Sequence, residues 1–365
     1  MSAPSPRLVV KVGSSSVTDA EGTPNATLLA ALASEIDHLA TKGTEVVVVS
    51  SGAVAAGWAA IGGGKPRPQA TALLQAVSAV GQHRLMSTWA ASFSEVGRTV
   101  GQVLLAPLDF ADRQQYLHAR HTLEQLLALG VIPIVNENDA VADEEIRFGD
   151  NDRLAALVAH LIGASRLVML TDAPGLLTAD PRSDAEASLI EEVLEIDRSL
   201  ESVAGGPGAV GSGGMASKLA AARIATWSGV ETVIAPAAHD GVLELIERGE
   251  LAVGTTFRAR AASLSARKLW IAFALRPAGR LSIDRGAAEA IAFGGRSLLA
   301  PGVSQVAGSF VAGDAVEILD EGGQLVAKGL VRAGVDDVTA QLAGRRSLSD
   351  PVLVHRDDLV VLVDA

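Results

Sequence analysis

Short apolar runs and longer amphipathic stretches alternate along the first two thirds of the chain. Residues 7–12 form a valine-rich run that breaks at Gly13 and three serines, and 24–42 reads as a helix with Thr23 as its N-cap. The order then repeats. A second valine run at 45–50 ends in Ser51-Gly52-Ala53 and leads into helical sequence and a long amphipathic stretch at 69–95. Strands are predicted at 100–105 and 131–135, with a helix at 113–129 between them. A helix at 152–162 follows, with Leu154, Leu157, Val158, Leu161 and Ile162 on one face. Next come strands at 166–170 and near 189–196, a glycine-rich segment, a helix at 215–227 and a strand at 231–235. Strands alternating with helices predict an α/β fold built on a doubly wound, mostly parallel sheet.

Beyond a connecting segment at 261–277 the texture changes. Short apolar runs are set off by close glycines, as in Ile318-Leu319-Asp320-Glu321-Gly322-Gly323 followed by 324–331. This predicts a small C-terminal β-barrel. The expected organisation is a large domain at 1–260, the connector, and a β domain at 278–365, with no internal repeat.

Composition narrows the function. Of the 365 residues 48% are hydrophobic and 20% charged, enough apolar surface for a globular chain. The net charge of -12 disfavours a nucleic-acid or anionic-membrane partner held by charge, and 278–365 alone has eight Lys and Arg against twelve Asp and Glu. RNA binding by the β domain is therefore not expected. The absence of cysteine excludes disulfides, thiolate metal sites and cysteine nucleophiles. Neither a signal-peptide pattern nor a run of 18 apolar residues is seen, so a cytoplasmic enzyme is expected.

Every strong candidate for chemistry follows a predicted strand, where ligands bind in open α/β sheets. Gly211-Ser212-Gly213-Gly214-Met215-Ala216-Ser217-Lys218 combines free backbone N–H groups, a helix start and a cation, which suits phosphate. It lacks the Walker A order, and a plain linker ending in a surface lysine would look similar. Lys11, inside a valine-rich strand and followed by Gly13 and Ser14, would be costly to bury without an anion, unless it snorkels from the strand end. Asn136-Glu137-Asn138-Asp139 and Gly149-Asp150-Asn151-Asp152 put two polar clusters at strand and helix ends. They suit the ammonium and carboxylate of a small zwitterion, although Asp150 or Asn151 alone would serve as a helix cap. Ser51-Gly52-Ala53 offers backbone donors. Thr171-Asp172 could meet a nucleotide or make a simple turn. His118 and His121 share a helix without further metal ligands, so no protein metal site is predicted.

With these motifs in order, nearly the whole chain resembles the glutamate 5-kinase branch of the amino acid kinase family. The carrying segments are Lys11-Val12-Gly13-Ser14-Ser15, Ser50-Ser51-Gly52-Ala53, Asn136-Glu137-Asn138-Asp139, Phe148 to Asp152, Thr171-Asp172, and Gly213-Gly214-Met215 with Lys218. The tail from about Gly279 resembles a PUA domain through Ser297 to Gly302 and Phe310 to Asp314. The resemblance implies phosphoryl transfer from ATP, with Mg²⁺, to the side-chain carboxylate of L-glutamate. It further implies that Ser51, Gly52, Ala53, Asp139, Asp150 and Asn151 surround glutamate. Lys11, Gly13, Ser14, Thr171, Asp172 and the segment from Ser212 to Lys218 would hold ATP, and Asp152 would organise Lys11 and Lys218. A homo-oligomer, feedback inhibition by proline and passage of the product to a γ-glutamyl phosphate reductase are implied in the same way.

Overall fold

The computed structural model describes residues 5–62, 64, 66–106, 109–110, 112–141, 151–182, 184, 186–197, 200, 214–261, 264–345 and 350–362. The chain divides into two compact units, Met1–Ser263 and Leu264–Ala365.

The first unit begins with β1 (Arg7–Val12), a helical turn α1 (Ser14–Val17), α2 (Ala26–Thr41) and β2 (Glu45–Ser50). It continues through α3 (Ala53–Ile61), α4 (Thr71–Glu95), β3 (Val100–Leu105), α5 (Arg113–Ala128), β4 (Ile132–Glu137), α6 (Asn151–Leu161) and β5 (Arg166–Thr171). The remaining elements are β6 (Glu192–Val193), α7 (Met215–Trp227), β7 (Glu231–Pro236), α8 (Val242–Glu247) and β8 (Thr255–Phe257). The sheet order is β3-β4-β2-β1-β5-β7-β8-β6. From β3 to β7 every pairing is parallel; β8 runs antiparallel to β7.

The central strands are buried on both faces, which is why they read as continuous valine runs. The period of two still sorts them. Leu8, Val10 and Val12 of β1 pack with Leu29, Leu32 and Ile36 of α2 and Leu85, Trp89 and Phe93 of α4. Lys11 has the opposite parity and meets α6 on the other face.

Two details differ from the sequence reading. The cap of α2 is Asn25, whose side chain accepts from the Leu28 N–H at 3.2 Å, rather than Thr23. The strand expected near 189–196 is only Glu192–Val193, paired at the sheet edge with β8. Its apolar residues on either side serve other contacts: Leu189 bridges to Leu177, and Ile196 is buried.

Helices α3 and α4 touch backbone to backbone. A Cβ at Gly57 would lie 1.9 Å from the Val77 carbonyl oxygen, and one at Gly81 would lie 1.7 Å from that of Ala53. This approach presses one flank of α4, with Ser78 and Gln82, towards the ends of the strands.

In the second unit a short helix α9 (Ala266–Leu269) runs into a π-helical turn, Trp270–Ala274, within what reads as a connector in the sequence. Strands β9 (Gly279–Ile283), β10 (Leu298–Leu299), β11 (Val303–Gly308), β12 (Ala315–Leu319), β13 (Leu325–Val331) and β14 (Val352–Val361) form a sheet ordered β10-β14-β13-β12-β9-β11. Only β9 and β12 pair in parallel. Helices α10 (Arg285–Ala292) and α11 (Val335–Leu342) contribute Ile291 and Val338 to its core.

Candidate active site

Strands β4, β2, β1 and β5 are consecutive and parallel, so their C-terminal ends share one edge. The chain leaves β1 for β2 on one side and later adds β5 on the other. A reversal of this kind opens a crevice beside the strand ends. A cleft of about 650 Å³ lies there, and its lining divides by chemistry into two ends.

At one end stand Lys11 and Lys218, each only 4% exposed. Both turn to the same carboxylate. Lys11 Nζ is 2.5 Å from Asp152 Oδ1 and Lys218 Nζ is 3.3 Å from Asp152 Oδ2. The Ser217 hydroxyl donates to Asp152 Oδ2 at 2.7 Å. Asp152 is 2% exposed and is absent from the cleft lining, so it sits behind the lysines. Burial alone would raise its pKa, but the charges of Lys11 and Lys218 and the bonds from Lys11 and Ser217 hold it below the ordinary carboxylate range. The carboxylate therefore remains an anion and fixes two cations at the cleft wall. Gly13, Ser14, Thr171, Asp172, Gly214 and Met215 line the cleft with them. Gly214 caps α7, whose N-terminal N–H groups favour an anion.

At the other end an amide network is drawn from three elements and the turn after β2. Asn151 Nδ2, on the first turn of α6, donates to Ser51 Oγ and to Asn136 Oδ1, each at 3.0 Å. Asn136 Nδ2 in turn donates to Gln82 Oε1 of α4 at 2.7 Å. Asn151 Oδ1 is buried and has no partner among the described residues. Ser51 is followed by Gly52 with φ 101°, a left-handed turn that starts α3 and suits glycine. Nearby, the Asp139 carboxylate accepts from Ser78 Oγ of α4 at 2.7 Å. Burial raises the pKa of Asp139, and the Ser78 bond and the charge of Arg67 only partly offset this. An unfilled amide oxygen and a buried carboxylate beside a polar wall suit an ammonium group.

Residues 6–236 match the model of the amino acid kinase family, and residues 279–343 match that of the PUA domain. This chain belongs to the amino acid kinase family. Its relatives extend the likeness over the whole length. It is 46% identical to a glutamate 5-kinase of Nitrosospira multiformis, with 98% of each chain covered. It is 45% identical to one of Mycobacterium tuberculosis, over 97% of this chain and 94% of the relative, and 46% identical to one of Nocardia farcinica, over 97% and 96%. An isopentenyl phosphate kinase from T. acidophilum shares the fold of the amino acid kinases with a TM-score of 0.50 at 17% identity, covering 69% of this chain and all of that one.

The family resemblance noted from the motifs and the expected α/β fold therefore hold. Of the residues singled out in the sequence, Lys11, Gly13, Ser14, Ser51, Gly52, Ala53, Asp139, Asn151, Thr171, Asp172, Gly214, Met215 and Lys218 line one cleft. Asp152 and Ser217 act from behind it, and Ala216 does not line it. Asp150, Ser212 and Gly213 lie outside the described residues. Asn151 spends its amide across the site on Ser51 and Asn136.

Three residues of this kinase cleft carry no mark in a reading by motif. Ser78 and Gln82 occupy the buried stripe of α4 with Leu74, Val77 and Leu85, and two polar side chains in such a stripe are the available signal. Arg67, on the connection between α3 and α4, has no local signal. Among the described residues no group of three or more His, Asp or Glu is placed to hold a metal ion, and no helix is long and apolar enough to cross a membrane.

Proposed function

We propose that this protein transfers the γ-phosphoryl group of ATP to the γ-carboxylate of L-glutamate, giving L-glutamyl 5-phosphate and ADP. The observation that carries the reading is the pair Lys11 and Lys218 fixed on the buried Asp152, facing the amide and carboxylate network of Ser51, Asn151, Asn136 and Asp139 across one cleft. Full-length likeness to glutamate 5-kinases names the acceptor.

An acceptor carboxylate is already nucleophilic, so the site has no need of a strong base. Alignment and charge stabilisation suffice. One carboxylate oxygen of glutamate attacks the γ-phosphorus in line as the bond to the ADP oxygen breaks. Lys11 and Lys218 neutralise charge on the moving phosphoryl, and Asp152 positions both. Thr171, Asp172 and the start of α7 hold the nucleotide. Asp139 and Asn151 take the substrate ammonium, and Ser51 with the backbone at Gly52 and Ala53 steadies the acceptor. Mg²⁺ bound together with ATP would supply further charge neutralisation.

On resemblance to the glutamate 5-kinases alone, we extend the proposal to a cytoplasmic homo-oligomer. Proline would inhibit it, and its labile acyl phosphate would pass to a reductase. An acceptor screen with ATP and Mg²⁺, trapping acyl phosphate with hydroxylamine, tests the central reaction. Hydroxamate is expected with glutamate; product from aspartate or N-acetylglutamate but not from glutamate would sink the substrate assignment.

A further inference from the structure

A zwitterion with two carboxylates sets a charge problem that the residues assigned so far leave half solved. Glutamate brings an ammonium, an acceptor carboxylate and an α-carboxylate. Asp139 and Asn151 answer the ammonium. Lys11 and Lys218 answer the phosphoryl group and are tied to Asp152 at the far wall. Among the described residues one more cation lines the cleft, Arg67.

Arg67 is exposed, yet it lines the same cleft as Asp139 and Asn151. The Arg67 charge is close enough to Asp139 to draw its carboxyl pKa downward against the effect of burial. Yet the two do not form an ion pair within 4.0 Å, and Ser78 is the side chain that bonds Asp139. An arginine serving as the structural partner of a buried aspartate would close that contact. The backbone around Arg67 is also stiff for a loop. Pro66 has a fixed φ, and Pro68 biases Arg67 itself towards extended conformations. The guanidinium thus stands near the ammonium subsite on a restrained segment, with its planar fork suited to a carboxylate.

We propose that Arg67 binds the α-carboxylate of the acceptor amino acid and so selects an α-amino acid over a simple carboxylate or amine. The inference rests on the glutamate kinase reading. In steady-state assays Arg67→Ala should raise the KM for glutamate by about 10- to 100-fold, the usual worth of a hydrogen bond to a charged group. The KM for ATP should stay within about twofold. Arg67→Lys should recover part of the loss. As a competitor of glutamate, 4-aminobutyrate keeps the ammonium and one carboxylate but lacks the α-carboxylate, so its inhibition constant should be the same in wild type and Arg67→Ala. An unchanged KM for glutamate would overturn the proposal, as would a parallel rise in the KM for ATP or in the 4-aminobutyrate constant. Failure of the wild-type protein to phosphorylate glutamate would instead strike at the proposed function.

Discussion

Lysine is buried inside a strand in both units of this protein, and the two cases are resolved in opposite ways. In the first unit Lys11 lies in β1, 4% exposed, and its charge is met by the Asp152 carboxylate, which also takes Lys218 from α7. In the second unit Lys328 lies in β13, 7% exposed. Its ammonium donates to the backbone carbonyls of Ala272, at 3.2 Å, and Leu275, where the π-helical turn ends. Carbonyls left over at a helix end need donors, and a lysine there is a structural clamp. A carboxylate shared by two lysines that line a cleft is a different device. It holds positive charge at a wall where a ligand can meet it. Burial of a lysine is thus no sign of chemistry by itself; the identity of its partner and the presence of a cleft decide.

That contrast can be broken by substitution. The largest effect is expected from Asp152→Ala, which leaves two buried ammonium groups without their anion. Loss of one member of a buried ionic cluster costs about 3–5 kcal/mol, so thermal unfolding should shift down strongly and activity should vanish. A variant of wild-type stability would show that the lysines do not depend on Asp152. Next, Lys11→Ala or Lys218→Ala should lower turnover by roughly 10²-fold or more, as for removal of a donor aimed at developing charge. Each leaves Asp152 one lysine, so the fall in unfolding temperature should be smaller than for Asp152→Ala. Near-normal turnover in both would sink the role given to them. Lys328→Met should do the reverse. Two carbonyls lose a donor, at about 1–3 kcal/mol of stability, while the kinetics of phosphoryl transfer stay as they were. A kinetic defect in a folded Lys328→Met protein would erase the distinction between the units.

The smallest and most diagnostic effect concerns pH. Asp139 has a raised pKa in the folded state, through burial. Such a group takes up a proton more readily when folded, so falling pH does not remove stability through it. Ammonium binding, however, needs the anion. The KM for glutamate should therefore climb on the acid side, beginning above the ordinary carboxylate range. Asp152 is displaced the other way, and the stability it contributes is present above its unfolded pKa and lost only as pH falls through its lower folded value. Substrate binding should thus fail at higher pH than this ionic cluster. Parallel pH profiles of KM for glutamate and of unfolding temperature read the gap directly, and coincident limbs would contradict it.

The limits of sequence reading follow the same line. Lys11 was legible because a charge interrupts a run of valines and a polar turn follows. Lys328 sits in Leu-Val-Ala-Lys-Gly-Leu-Val, much the same pattern, and local sequence does not say that one meets a carboxylate and the other a pair of carbonyls. The parallel sheet, and the polar residues after each strand, could be read because strand and helix periodicities are local. The partners of those residues could not. Gln82 reaches Asn136 across 54 positions and Ser78 reaches Asp139 across 61, through the packing of α4. Even the cap of α2 turned on which of two neighbouring polar residues, Thr23 or Asn25, had its oxygen aimed at the first turn.

The close contact of α3 and α4 has a consequence for anyone who would redesign this enzyme. Replacing helical glycine by alanine is a standard route to a sturdier protein, since alanine restricts the unfolded chain and favours the helix. Gly57 and Gly81 look like obvious choices, both lying inside helices. At either one the added methyl would land inside a carbonyl of the opposite helix. Relief would come only by prying α4 outward, and Ser78 and Gln82 would leave with it. Sequence drift towards greater robustness is therefore closed at these two positions, because the seam between two helices and the support beneath the proposed amino-acid pocket are one and the same piece of construction.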